Sequence, residues 1–437
     1  MSDMPELPVA LEFMDELGNR ERTRIVCVYG LSGRIPGQFD ARDRLNGTLQ
    51  FGRFASHIDA ATALFPRPVI VIGGADLELP GNGTELVAVR VMLLVTPRGD
   101  GALVIDGQMR GDPDGQAVAK VLHATCLKRQ QLRVGGQQIL DWLRAKAEEM
   151  GRLLPADLDF SRNVHQCVFP GGALLKGIRA GEPFWRMVYR VTAPVEPKEG
   201  IGTFQPGDLN YPGVTAVGHG RGVSVVAGFA EQVENVYALI AVLLITGLDV
   251  LYRVRGDLFK TLQEAGEHTG STTRARALIT YLSDRLNDMQ LDLAFGVEQY
   301  LDGILIPEYV IEAYQRSMSE ALGLRAGLGD SSRMLDRLGS VIQARRTALD
   351  AAGQEQVDRR DRVFSTVLAV GTLLALPPAL LLSFFALDSG ARKSIFDVPA
   401  HLGAYLLAWL PFMVLVVVGY ALRRRIRSEV PQWQRAK

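Results

Sequence analysis

Three cysteines in 437 residues, Cys27, Cys126 and Cys167, are too few and too widely spaced for a disulfide framework or a zinc site. They suit a reducing compartment. The chain also lacks an excess of either charge, since Lys plus Arg and Asp plus Glu each number 48. A nucleic-acid binder draws its affinity from surplus positive charge facing phosphates, so that partner is excluded. The opening MSDMPELPVALEFMDELGNRER is acidic and has no apolar core of signal-peptide length.

Local enzyme motifs are missing as well. No H-E-x-x-H, G-x-S-x-G or Cys-x-x-Cys occurs. GLSGRIPG, Gly30 to Gly37, follows a strand-like run, but it lacks the Lys-Ser/Thr of a P-loop and the spacing of G-x-G-x-x-G. It reads as a glycine-rich turn. His219 in GHGRG sits where a hairpin turn needs glycine, and is expected to be exposed. His57, His123, His165 and His268 stand alone, with no metal partner nearby in sequence. The expectation is no catalytic residue, no metal and no cofactor. A tethered enzyme would need a constellation assembled from distant residues.

What the chain does have is long apolar runs. Val363 to Leu387 and Val398 to Leu422 are charge-free, and each exceeds the about 20 residues that cross a bilayer. Both are expected to be transmembrane, with an outer loop at 388–397 between them. A third run, Asn235 to Leu248, is closed by Asp249, falls short of that length and reads as a buried helix. Arg359, Arg360 and Arg362 precede the first span, while Arg423, Arg424, Arg425 and Arg427 follow the second. That flank bias predicts an inner or plasma-membrane protein with both termini in the cytoplasm.

The preceding part predicts an α+β fold. RIVCVYG (Arg24–Gly30) and PVIVIGG (Pro68–Gly74) read as buried strands, and Glu85 to Met109 as a hairpin around RGDG. GQAVAKVLHATCL and QQILDWLRAKAEEM carry helical spacing. These make up an N-terminal α/β domain, 1–155. A second segment, 156–305, opens with strand candidates VHQCVF and PFWRMVYRVTAP and a hairpin from Val214 to Gly228. Helices are expected at Glu231–Gln263, Thr272–Tyr300 and Pro307–Arg325.

A helical stalk occupies 306–362. Its last helix is expected to be capped by Asp330 and Ser331 and to carry a seam of Leu335, Leu338, Ile342 and Leu349. From Asp330 to Arg362 such a helix would measure about 50 Å. The seam needs cover, from the same chain or from copies of it. On the first span Ser365, Thr372, Ala379 and Ala386 recur every seven residues. In lipid this stripe allows close helix packing; around an axis it would line a pore. Pro377 and Pro378 remove two helical N–H groups and predict a kink.

A large cytosolic domain, a stalk helix running into the first span, a short outer loop, a second span and a basic tail at 423–437 together resemble the CorA-type magnesium transporter superfamily. The resemblance covers about the last quarter of the chain and implies a homo-oligomeric channel, a pentamer, gated by a cytosolic sensor domain. A divalent cation or a small-molecule ligand is the partner class it implies. Aligning Leu376-Pro377 with the family's Leu-Pro places Ala386, Leu387 and Asp388 on its Gly-Met-Asn signature. That signature is absent, so selective magnesium transport is not expected. Asp388 could form a ring of carboxylates in a pentamer, partly offset by Arg392 and Lys393, or simply end the helix at the interface. Such degenerate relatives also resemble, by analogy alone, effectors of bacterial conflict systems. The alternative is a membrane-anchored sensor or scaffold whose hairpin only tethers and oligomerises it.

Overall fold

The computed structural model describes residues 21–35, 44–61, 63–80, 86–179, 184–192, 216–266 and 272–387, together with Gly403, Leu410, Met413 and Val414. It divides into two compact units, Met1–Gln343 and Ala344–Lys437.

The strands are β1 (Arg24–Arg34), β2 (Arg67–Gly73), β3 (Leu77–Glu78), β4 (Leu86–Val95), β5 (Asp100–Met109), β6 (Arg133–Val134), β7 (Gln137–Gln138), β8 (Asp159–Phe169), β9 (Ala216–His219) and β10 (Val223–Ala227). Seven of them form one sheet in the order β2-β4-β5-β1-β8-β10-β9. Every pairing in it is antiparallel except β8 with β10. Strands from both sides of residue 155 share this sheet. Both segments lie within the unit Met1–Gln343.

The helices are α1 (Ala55–Ala60), α2 (Gly115–Leu127), α3 (Ile139–Glu149), α4 (Gly172–Arg179), α5 (Phe184–Tyr189), α6 (Glu231–Gly266), α7 (Thr272–Leu293), α8 (Gln299–Asp302), α9 (Tyr309–Leu322) and α10 (Leu324–Leu387). A π-helical stretch, Ala294–Glu298, joins α7 to α8. The period-two rule explains how they cover the sheet. In β1, Ile25, Cys27 and Tyr29 enter one core with α2 to α5, while Val26 and Val28 enter another with α6 to α10. The sheet is buried on both faces, which is why its strands read as continuous apolar runs rather than alternating ones.

Helix α6 fills the second core. Among the described residues it is the one helix long and apolar enough to cross a membrane, but 89% of its most apolar window is buried inside the protein. The expectation of a buried helix at Asn235–Leu248 holds: every residue in that stretch is buried. Both expected hairpins are present, as β4–β5 and β9–β10.

Four local expectations need correction. FWRMVY, expected within a strand, is helix α5: Phe184, Met187 and Val188 bury at helical spacing. GLSGRIPG is not a turn at its start, because β1 continues through Gly30 to Arg34 with an irregular register. His219 is fully buried, with Nε2 2.9 Å from the Ser317 hydroxyl, because α9 covers the end of the hairpin. Asp330 and Ser331 do not cap a helix start. Helix α10 already begins at Leu324, the Ser331 hydroxyl donates to the Gly327 carbonyl, and Asp330 pairs with Arg255 and Arg333.

Candidate functional site

Two places in the chain invite a functional reading. The first is the far part of α10. Leu335, Leu338 and Ile342 are buried in the core of Met1–Gln343, so this half of the expected seam is covered by its own chain, and Leu349 is half-buried. Further along the same helix Val363, Phe364, Val367, Leu368, Val370, Leu376 and Leu380 are exposed. Ser365 and Thr372 are exposed too, and their hydroxyls donate to the carbonyls of Arg362 (3.1 Å) and Leu368 (2.6 Å). Pro377 is buried, and the helix continues past Pro377 and Pro378 to Leu387. The side chains of Pro378, Ala379 and Ala386 lie outside the described residues, as do Asp388, Arg392, Lys393 and the flank Arg423, Arg424, Arg425 and Arg427. Leu410, Met413 and Val414, within the expected second span, are helical and exposed.

The second place is a cleft of about 470 Å³ at the edge of the large sheet. It exists because β10 is shorter than β8. Val223 to Val225 pair with Gln166 to Val168, and Arg162 to Val164 are left without a neighbour on that edge among the described residues. Cys126, Leu127 and Arg129, from the end of α2 and just after it, form one wall, and Ile245, Leu248 and Tyr252 of α6 with Leu322 of α9 form the other. Arg162, Arg190 and Arg221 complete a set of four arginines.

None of the four has a carboxylate within ion-pair distance among the described residues. Two are held by neutral acceptors instead. Arg129 donates to the Ser161 carbonyl at 2.9 Å, while its Nε is buried without a partner. Arg190 donates from Nε to the Gln166 side-chain oxygen and from Nη2 to the Gly222 carbonyl, each at 2.6 Å. Gln166 is itself fixed, donating to the Thr125 hydroxyl (2.6 Å) and the Leu122 carbonyl (2.9 Å). A Cβ at Gly222 would stand 2.5 Å from Arg190 Nη2, so glycine keeps the guanidinium's space. Arg190 also takes φ 55°, a left-handed backbone that non-glycine residues seldom adopt without compensation. Arg162 and Arg221 are exposed.

Behind the cleft lies Asp249. It accepts from Asn163 Nδ2 at 2.5 Å, and its Oδ2 is buried with no hydrogen bond of good geometry among the described residues. Burial pushes its carboxyl up to about 7, outweighing hydrogen bonds from Ser161 and Asn163; Asp100 adds to the rise and Arg253 opposes it. Gly30 makes the arrangement possible, since a Cβ there would fall 1.5 Å from Asp249 Oδ2. The glycine-rich segment thus serves close packing.

A second set of polar groups resembles chemistry but is buried. His165 Nε2 lies 2.7 Å from the Ser224 hydroxyl, which lies 2.8 Å from the Tyr314 hydroxyl. Both His165 and Ser224 are fully buried, and burial together with His219 and Arg190 pulls His165 down to about 3, leaving it neutral. The set links β8 and β10 to α9. Among the described residues no group of three or more His, Cys, Asp or Glu could hold a metal ion. The chain matches no protein-family model and no curated protein.

Proposed function

We propose that this chain is a membrane-attached, homo-oligomeric CorA-like channel. Its α+β unit is a cytosolic sensor, and its apolar C-terminal runs form a two-helix hairpin. One observation carries the reading. Helix α10 starts in a packed core at Leu335 and Leu338 and continues without interruption into a stretch whose large apolar side chains are exposed. Exposed Val, Leu and Phe on successive turns need a cover that the described residues do not supply, and a charge-free run of that length suits lipid. Conduction through a ring of first spans, with Ser365 and Thr372 on the pore side, belongs to the same proposal. The test is reconstitution of the purified protein into liposomes, with its oligomeric state read in detergent. Ion passage by an oligomer supports the channel; a monomer or dimer that passes no ion sinks it.

The second reading is a membrane-anchored sensor or scaffold. It is favoured by Ala386, Leu387 and Asp388 standing where the resembling family carries Gly-Met-Asn, and by Arg392 and Lys393 close to that point. It predicts that an unrelated two-helix hairpin can replace residues 363–422 without loss of function.

A further inference from the structure

We propose that the arginine-lined cleft is a nucleotide-binding site. The proposal goes beyond the membrane reading and does not depend on it. Four guanidinium groups line one cleft with no carboxylate within ion-pair distance among the described residues, and two are preset by hydrogen bonds to neutral oxygens. Such a set of positive charges attracts an anion, and planar guanidinium forks match phosphate oxygens two at a time. The opposite wall has different chemistry. Ile245, Leu248 and Leu322 are apolar and buried, and Tyr252, 47% exposed, lines the cleft with them. An apolar wall ending in an exposed aromatic face suits a planar ring that can stack on it.

Between the two walls the edge of β8 at Arg162 to Val164 has no neighbouring strand among the described residues. The Asn163 side chain adds a polar edge whose orientation is set by its bond to Asp249. A charged end, an apolar flat face and a hydrogen-bonding edge between them are the three parts of a nucleoside phosphate. The cleft, at about 470 Å³, lies within the range of small-ligand sites, which runs from about 300 to 1,000 Å³. The arginines lie on the phosphate side, Tyr252 on the base side.

The experiment uses the full-length protein in detergent, titrated calorimetrically with ATP, GTP, AMP, GMP and pyrophosphate. At least one nucleotide is expected to bind tighter than pyrophosphate, and more weakly as salt is raised. R162Q/R221Q removes two exposed charges that no described hydrogen bond ties to the fold, and is expected to weaken nucleotide binding about tenfold or more. Y252A is expected to weaken the nucleotide severalfold and leave pyrophosphate unchanged. Failure of all four nucleotides to bind overturns the proposal. So does pyrophosphate binding as tightly as the best nucleotide, or a double variant that binds like wild type. Photolabelling of the unsubstituted protein with 8-azido-ATP reads the same site without a variant. Label on peptides holding Tyr252 or Arg162 to Val164 supports the proposal, and label elsewhere overturns it.

Discussion

Asp249→Asn should stabilise the protein at neutral and alkaline pH, although it removes a charge that accepts a hydrogen bond. The carboxyl lies behind the cleft, faced by Ser161 and Asn163 of β8, Asp100 of β5 and Arg253 of its own helix, with no hydrogen bond of good geometry to Oδ2 among the described residues. Its folded-state pKa of about 7 stands above the value near 3.9 of an unfolded aspartate. The folded form therefore holds the extra proton between those values. The stability this provides is full below about pH 4 and is lost as pH rises through 7. Integrated, that loss is about 4 kcal/mol, of which about 3 kcal/mol falls between pH 5 and 8. Asparagine keeps the shape, accepts the same bond from Asn163 and cannot ionise. The assay is urea unfolding followed by circular dichroism at several pH values, reported as the difference between variant and wild type. Taking the difference matters because His165 and His219, held neutral by burial, give the wild-type curve an opposite slope in acid. Parallel curves from pH 5 to 8, or a variant less stable than wild type at pH 8, would refute the reasoning.

Gly30→Ala should cost about 1–3 kcal/mol, because the new Cβ collides with Asp249 Oδ2, and the cost should shrink in an Asp249→Ala background; a double-mutant cycle by urea unfolding measures the coupling. Asp106→Ala should cost about 3–5 kcal/mol in the same assay. It strips the bidentate partner (2.7 and 2.8 Å) from Arg24, which is buried among Asp106, Glu234 and Asn235. Leu338→Ala should cost about 2–5 kcal/mol as a core truncation. Leu349→Ala, at a half-buried position, should cost little stability and lower the oligomeric state read by light scattering if copies pack on that stretch.

Much of the fold was legible from periodicity. Gly115–Leu127 was expected as a helix and is one, and both hairpins were marked by glycine turns between β-rich runs. The misses share a cause: tertiary cover. Nothing local in GHGRG reveals that α9 lies over His219, and the aromatic residues of PFWRMVY favour a strand until their burial at helical spacing is known. The cleft was illegible for a stronger reason. Arg129, Arg162, Arg190 and Arg221 are spread over more than 90 positions and form no motif. Only the short reach of β10 along β8 brings them together. The ion pairs of Asp292 with Arg34 and Arg98, and of Arg253 with Asp100, likewise join residues more than 150 positions apart.

The contrast between α6 and the far part of α10 shows what composition can and cannot decide. Both carry long apolar runs in the sequence, and among the described residues α6 alone is long and apolar enough to pass for a membrane span. What separates them is cover. In α6, Val236 to Leu244 lie against the sheet and the neighbouring helices with almost no exposure, so the hydrophobic term is satisfied within the chain. In α10, Val363, Phe364 and Val367 are each more than half exposed. The same term, about 25 cal/mol per Å² of apolar surface, is left outstanding there. On the channel reading proposed above, lipid and copies of the chain supply that cover. Ser365, Thr366 and Thr372 in that stretch turn their hydroxyls onto their own backbone, as the exposed Thr280, Ser283 and Ser340 do elsewhere in the chain.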